Sequence, residues 1–251
     1  DASIISDRIK IISIATKDKF VYAGTDSHLY ISTDHGATFQ EKSTLNSIFL
    51  SLTIKDNILF AGLNGNGKGV QYSTNYGKSC IPIFTNHTVF TIVINGDHIY
   101  AGTGGAGVYQ MKINGSEQIK LNLGNGSVPI FTLALNGNYI YAGTEKQGLY
   151  VSTNLGANWT QSTFYPNVSI KNILIKNNFV FIGQIDVGNK GVCVLDTNGN
   201  SIGADYIGCG ANIWSLWESN NYIYAGVSAN IGGIDTSQVY KILLRNVPYC
   251  K

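Results

Sequence analysis

Short apolar runs alternate with turns rich in glycine and asparagine along nearly the whole chain. The stretch from 130 to 163 shows the pattern most plainly. Residues 130–135 (Ile-Phe-Thr-Leu-Ala-Leu) read as a strand, and Asn136-Gly137-Asn138 as a tight turn of residue types that tolerate positive φ. Residues 139–144 (Tyr-Ile-Tyr-Ala-Gly-Thr) read as a second strand, 145–148 as a loop and 149–153 as a third strand. Residues 154–157 turn the chain again, and 158–163 read as a fourth strand. Apolar positions within these runs alternate with a period of two, which suits sheets packed face to face. No helical period is visible.

One phrase recurs through this pattern: an aromatic residue, a small or aliphatic residue, then glycine. It reads Tyr22-Ala23-Gly24, Phe60-Ala61-Gly62, Tyr100-Ala101-Gly102, Tyr141-Ala142-Gly143, Phe181-Ile182-Gly183 and Tyr224-Ala225-Gly226. The glycines are 38, 40, 41, 40 and 43 residues apart. A second register runs nine residues ahead of each aromatic: Ser13, Ser51, Thr91, Thr132, Asn172 and Ser215, each followed by Ile or Leu. A strand-rich repeat of about forty residues predicts a β-propeller with one four-stranded blade per repeat. The expectation is therefore an all-β fold: a six-bladed β-propeller, residues 1–251 forming one domain. The innermost strands converge there, so the small polar register and the glycine read as packing requirements. The last repeat runs out after a third strand at 238–244. The N-terminal residues 2–6 are expected to supply its fourth strand and close the ring, hiding two sheet edges.

The turn between third and fourth strands has a motif of its own. It reads Ser32-Thr33-Asp34-His35-Gly36-Ala37-Thr38-Phe39, Ser73-Thr74-Asn75-Tyr76-Gly77-Lys78-Ser79-Cys80 and Ser152-Thr153-Asn154-Leu155-Gly156-Ala157-Asn158-Trp159. This resembles the Asp-box, or BNR repeat, of the form Ser-x-Asp-x-Gly-x-x-Trp. Asn replaces Asp in two of the three turns, and Asp196-Thr197-Asn198-Gly199 keeps a trace of it. The resemblance implies a structural turn on the rim away from active sites, capped by the Asp or Asn side chain. Asp-boxes occur in sialidases, xyloglucan hydrolases, sortilin-type receptors and photosystem assembly factors. Sialidases hold a substrate carboxylate with three arginines, because Arg offers a planar bidentate fork. This chain has only Arg8 and Arg245, so the resemblance is to the non-sialidase type.

Composition narrows the classes of function. Charged residues make up 13% and the formal net charge is +2, too weak and scattered for a nucleic-acid footprint. No apolar run reaches the length of a membrane span. The chain starts at Asp1 without a basic-then-apolar leader, read here as a leader removed or lying outside the sequence. Cys80, Cys193, Cys209 and Cys250 match no zinc or CxxC spacing. Cys193 and Cys209 share a repeat, so pairing across strands and buried thiols are both open. Sequons begin at Asn86, Asn114, Asn125, Asn158 and Asn167, but 26 Asn and 38 Ser plus Thr in 251 residues give about four by chance.

The binding face of such a fold is the one bearing the second-to-third-strand loops and the connections between blades. The loops at 184–191 and 227–237 are the longest, and carry Asp186, Asn189 and Asp235. Trp214 and Trp217 fall in the innermost strand of the last repeat, where the other repeats have mostly smaller residues. With Asp26 from the first repeat, these residues form the candidate ligand site: an apolar platform with polar neighbours. The other reading of the tryptophans is that they fill the core or plug the channel. Asp26, Glu145, Asp186 and Asp235 also offer a carboxylate pair for glycoside hydrolysis, with solvated loop charges as the default. No catalytic set, metal site or cofactor motif is assigned. His28, His35, His87 and His98 fall in four different turns. The sequence thus points to a non-enzymatic, extracellular or cell-surface propeller that binds a protein or a glycan through its loops. A glycan-active hydrolase and a structural subunit of an extracellular assembly are the alternatives.

Overall fold

The computed structural model describes residues 9–41, 46–65, 67–124, 127–163, 166–185, 191–200, 211–231 and 234–243. Their regular structure is entirely β-strand. Sheet one holds β1 (Ile11–Lys17), β2 (Phe20–Thr25), β3 (Leu29–Ser32) and β4 (Gln40–Glu41). Sheet two holds β5 (Phe49–Lys55), β6 (Ile58–Leu63), β7 (Val70–Ser73) and β8 (Ile81–Phe84). Sheet three holds β9 (Val89–Asn95), β10 (His98–Thr103), β11 (Val108–Lys112) and β12 (Ile119–Leu121). Sheet four holds β13 (Ile130–Asn136), β14 (Tyr139–Thr144), β15 (Leu149–Ser152) and β16 (Thr160–Gln161). Among the described residues the last two sheets have three strands each. Sheet five holds β17 (Ser169–Lys176), β18 (Phe179–Ile185) and β19 (Val192–Leu195). Sheet six holds β20 (Asn212–Ser219), β21 (Tyr222–Ile231) and β22 (Ile234–Leu243). Every sheet is an antiparallel meander in chain order. The N-terminal strand expected at 2–6 lies outside the described residues.

The chain divides into two compact units, Asp1–Lys120 and Leu121–Lys251. In each, the cores are layers between successive sheets. In β6 of the first unit, Leu59, Ala61 and Leu63 join Tyr22, Leu29, Ile31 and Phe49 in one core, while Phe60 joins Val70, Val89 and Ile99 in the next. In β18 of the second unit, Val180 and Ile182 pack with Tyr141, Leu149 and Ile170, while Phe181 packs with Ile213, Ala225 and Val227. Alternation therefore divides one strand between two cores. Both faces are apolar, so the strands read as near-continuous hydrophobic runs.

The repeated phrase sits in equivalent strands. Gly24, Gly62, Gly102, Gly143, Gly183 and Gly226 face Ser13, Ser51, Thr91, Thr132, Asn172 and Ser215 across the first strand pair of their sheets. At Gly24, Gly62, Gly143 and Gly183 the glycine lets the next sheet approach. A Cβ on Gly24 would stand 2.5 Å from the Phe49 Cβ, and one on Gly143 2.8 Å from the Ile170 carbonyl oxygen. The small polar residue does more than save space. Ser13 Oγ donates to the Phe49 carbonyl at 2.7 Å, Ser51 Oγ accepts from the Ile92 amide at 3.2 Å, and the Asn172 amide donates to the Trp214 carbonyl. An inner strand has backbone groups that its own sheet leaves unpaired, and this register satisfies some of them.

The three Asp-box-like turns share one geometry. The Ser32, Ser73 and Ser152 hydroxyls donate to Asp34, Asn75 and Asn154, and accept the amides of Gly36, Gly77 and Gly156 at 2.7–2.8 Å. Asp34, Asn75 and Asn154 in turn accept the amides of Thr38, Ser79 and Asn158 at 2.8–3.0 Å. His35, Tyr76 and Leu155 adopt φ of 61°, 59° and 54° just before the glycine. The trace in sheet five keeps the acceptor: Asp196 Oδ1 takes the amides of Asn198 and Asn200. The two disulfide readings now part company. Cys193 is not in a disulfide, and its sulfur accepts the Gln184 amide at 3.0 Å inside the core. Cys209 and Cys250 lie outside the described residues.

Sheet six departs from expectation. The loop expected at 227–237 is mostly strand, because β21 and β22 pair from Tyr222↔Leu243 out to Ile231↔Ile234. The sequence between these strands, Gly232-Gly233, is a dipeptide suited to a two-residue hairpin connection. The third strand therefore begins at Ile234 rather than Gln238.

Candidate functional site

The second strands hand over to the third at one end of each sheet, the end expected to bear the ligand-binding loops. In three sheets a threonine after the repeated glycine ties this loop down. Thr25 Oγ1 donates to the His28 carbonyl at 2.9 Å, Thr103 Oγ1 to the Gly107 carbonyl at 2.7 Å, and Thr144 Oγ1 to the Gly148 carbonyl at 2.7 Å. Leu63, Gln184 and Val227 stand at that register in the other three. Those are the sheets with longer second-to-third-strand connections or, in sheet six, with strands that run on.

At the same end every inner strand bulges. Pairing with the second strand shifts by one residue between Ile11 and Ser13, Phe49 and Ser51, and Val89 and Thr91 in the first unit. It shifts between Ile130 and Thr132, Ile170 and Asn172, and Ile213 and Ser215 in the second. The residues taken out of the ladder are Ile12, Leu50 and Phe90, and Phe131, Lys171 and Trp214. None is fully buried. A bulge re-aims its side chain and ends regular pairing, and bulges recur beside functional sites. Trp214 is thus one member of a register that is large throughout. Its counterparts Ile12, Leu50, Phe90, Phe131 and Lys171 are all smaller than Trp, as expected of the other repeats, though two of them are aromatic. The sequence held a usable signal: each bulged residue immediately precedes the small polar register.

The two tryptophans are not core fillers. Trp214 is 50% exposed and Trp217 68% exposed. Trp214 is held in place by its indole N–H, which donates to Ser228 Oγ at 2.7 Å, and by the Asn172 amide on its carbonyl. It forms one wall of an open groove of about 450 Å³ on sheet six, floored by Gly226 and Val227 and bordered by Ser228, Ser237, Gln238 and Val239. The floor is the same glycine register that takes Phe49 on Gly24 and Ile170 on Gly143. Trp217 sits three residues along, paired with Tyr224, and does not line the groove.

Asp26 is exposed in the first unit, with the Ser27 hydroxyl on its carboxylate at 3.3 Å. Asp235 lies in the backbone of β22, opposite Asn230. Asp186 and Asn189 lie outside the described residues. Among the described residues no three His, Cys, Asp or Glu side chains could share a metal ion, and no helix is long and apolar enough to cross a membrane.

No family model matches the chain, and no curated protein matches it. Solved structures do. YCF48 from Cyanidioschyzon merolae superposes with a TM-score of 0.68 at 13% identity, over 95% of this chain and 87% of its own. A structure of YCF48 bound to D1 peptide gives 0.68 at 14% identity, over 88% of this chain and 77% of that one. The GH74 xyloglucanase from Xanthomonas campestris gives 0.69 at 14% identity, over 97% of this chain but 45% of the enzyme. Identities this low speak to fold alone. Together with the six antiparallel meanders, they establish the fold as a six-bladed β-propeller.

Proposed function

We propose that this protein is a non-catalytic binding propeller of the Asp-box type, secreted or held at the cell surface, whose loop end engages a protein ligand. The observation that carries this reading is the bulge repeated in every blade. A register that only packed would favour side chains sealed from water. Here the register holds Ile12, Leu50 and Phe90 in one unit and Phe131, Lys171 and Trp214 in the other, none of them fully buried, and exposed apolar groups mark interaction sites. Binding of D1 peptide by YCF48, a protein of the same fold, is consistent with a peptide ligand. The geometry of Trp214 supports a second reading, a glycan: an indole fixed by its own N–H is a flat platform with hydroxyl neighbours.

The discriminating experiment presents the full chain to a peptide library, a glycan array and a panel of glycoside substrates. Peptide binders weakened by Trp214→Ala or Phe131→Ala, without hydrolysis, are the expected result. Turnover of any glycoside that depends on Asp26, Glu145, Asp186 or Asp235 would replace the binding reading with the hydrolase one.

A further inference from the structure

Chance accounts for the number of sequons but not for the geometry of one of them. Asn114-Gly115-Ser116 forms the turn between β11 and β12. Asn114 Oδ1 accepts the Ser116 amide at 3.0 Å and the Ser116 hydroxyl at 2.7 Å. That is an Asx-turn with the sequon's own hydroxyl folded onto its asparagine. The turn closes locally. The Lys112 amide donates to the Ser116 carbonyl at 2.9 Å, the Gly115 amide donates to the Lys112 carbonyl at 2.8 Å, and the Lys112 ammonium pairs with Glu117. Gly115 takes a φ of 84°, which few side chains would tolerate. Asn114 and Ser116 are both exposed. Both hydrogen bonds fall on Oδ1, so the carboxamide plane is fixed while Nδ2 has no acceptor among the described residues.

The other described sequons are built differently. At Asn86 the Thr88 hydroxyl donates to Asn64 Oδ1 at 3.1 Å and accepts the Gly65 amide at 3.0 Å. At Asn158 the backbone amide is tied to Asn154 Oδ1 at 2.8 Å, and Thr160 already belongs to β16. At Asn167 both following residues, Val168 and Ser169, are buried, and the Ser169 hydroxyl accepts the Lys146 amide at 3.2 Å. Asn125 lies outside the described residues. We propose that Asn114 is the N-glycosylation site of this chain. This rests on the extracellular part of the reading above. Nδ2 attacks the anomeric carbon of a lipid-pyrophosphate-linked oligosaccharide held by the host transferase. A carbon–nitrogen bond forms, the carbon–oxygen bond to pyrophosphate breaks, the lipid pyrophosphate leaves, and one Nδ2 proton passes to a base of the transferase. The ligated sugar is bulky and needs an open surface turn. In the meander of sheet three the β11–β12 turn lies at the end opposite the β10–β11 loop. A glycan there leaves the loop end of that blade clear for a ligand.

The test is expression of the full chain behind a cleavable secretory leader in a eukaryotic host. Occupancy is read sequon by sequon, by peptide mass spectrometry after enzymatic glycan release in heavy-oxygen water, on leader-cleaved chain from cells and medium alike. Asn114 should carry the glycan at an occupancy above that of Asn86, Asn158 and Asn167. Asn114→Gln and Ser116→Ala should each abolish the gel shift that glycan release produces from this site. Ser116→Thr keeps the hydroxyl and should keep the glycan, and Asn86→Gln should leave the Asn114 glycan in place. These are surface positions, and melting curves of each variant confirm that the fold is retained. Leader-cleaved chain bare at Asn114 overturns the site. Occupancy at Asn86, Asn158 or Asn167 equal to or above that at Asn114 overturns the selection of this turn. Chain glycosylated at Asn114 but held inside the cell supports the site and counts against the extracellular reading, so the two failures are told apart.

Discussion

Asp34 shows how one side chain fixes a turn and what that implies for pH. The Ser32 hydroxyl and then the Thr38 hydroxyl and amide lower its carboxyl from the ordinary 3.8 to about 2. A carboxyl depressed on folding stabilises the fold above the ordinary value, and that contribution is lost as pH falls from about 4 toward 2. Asn75 and Asn154 hold the same place in the sister turns with the same Ser-to-Gly bracing. Asp34→Asn should therefore fold normally at neutral pH and flatten the acid limb of a Tm-versus-pH curve. Asp34→Ala should lower Tm at pH 7, because the Thr38 amide loses its acceptor. An Asn variant with the wild-type acid slope would place the titration elsewhere. Gly143 tests packing. An added Cβ would meet the backbone of Ile170 and the Thr132 methyl, and backbone cannot swing aside. Gly143→Ala should cost about 1–3 kcal/mol in urea unfolding. Residue type announced these glycines and caps. It did not announce the left-handed His35, Tyr76 and Leu155 before the turn glycines, since nothing in those side chains favours positive φ.

Elements were legible where a strand's own pattern determines them, and obscure where a neighbour does. The six glycine phrases fell in equivalent strands because both faces of each strand are apolar and the period is constant. The inner-strand bulges were invisible as bulges, because a register shift is defined by the partner strand and the chain's own alternation runs on through it. The long hairpin of blade six was misread as a loop. Ser228, Asn230 and the polar residues at 235–237 looked like loop residues, although Gly-Gly in the sequence suits a two-residue hairpin. Trp214 was found by its size, whereas the register it shares with Phe131 and Lys171, one residue ahead of the small polar position, was not followed. The threonine tie is a rule that can be tested. Thr103 Oγ1 donates to the Gly107 carbonyl and accepts the Ala106 amide at 2.9 Å, with Thr103 fully buried. Thr103→Val keeps the shape and leaves the Ala106 amide without its acceptor, while the Gly107 carbonyl keeps the Thr103 amide at 3.0 Å, so it should cost about 1–3 kcal/mol. Hydrogen exchange should show faster exchange confined to 104–107. An equal rise across the whole blade would mean that the hydroxyl supports the sheet rather than the loop.

At the scale of the molecule, the repeat fixes the architecture and is nearly silent on the ligand, because each blade needs the same buried pattern while recognition uses positions that differ. In the bulge register, Ile12, Leu50, Phe90, Phe131, Lys171 and Trp214 share a place and almost nothing else. Repeated scaffolds are stabilised mainly by contacts between neighbours, so their cooperativity is a question rather than a given. The division of the chain into Asp1–Lys120 and Leu121–Lys251 falls inside β12, a three-residue strand of sheet three. A boundary between independent domains belongs in an exposed linker crossed by few interactions, and a strand within a sheet is a poor place for one. We therefore propose that all 251 residues unfold as one domain. Calorimetry should give a single transition whose van't Hoff and calorimetric enthalpies agree, and fluorescence and circular dichroism should share its midpoint. Two resolved transitions, or a fragment 121–251 that melts at the temperature of the intact chain, would show instead that the units fold separately.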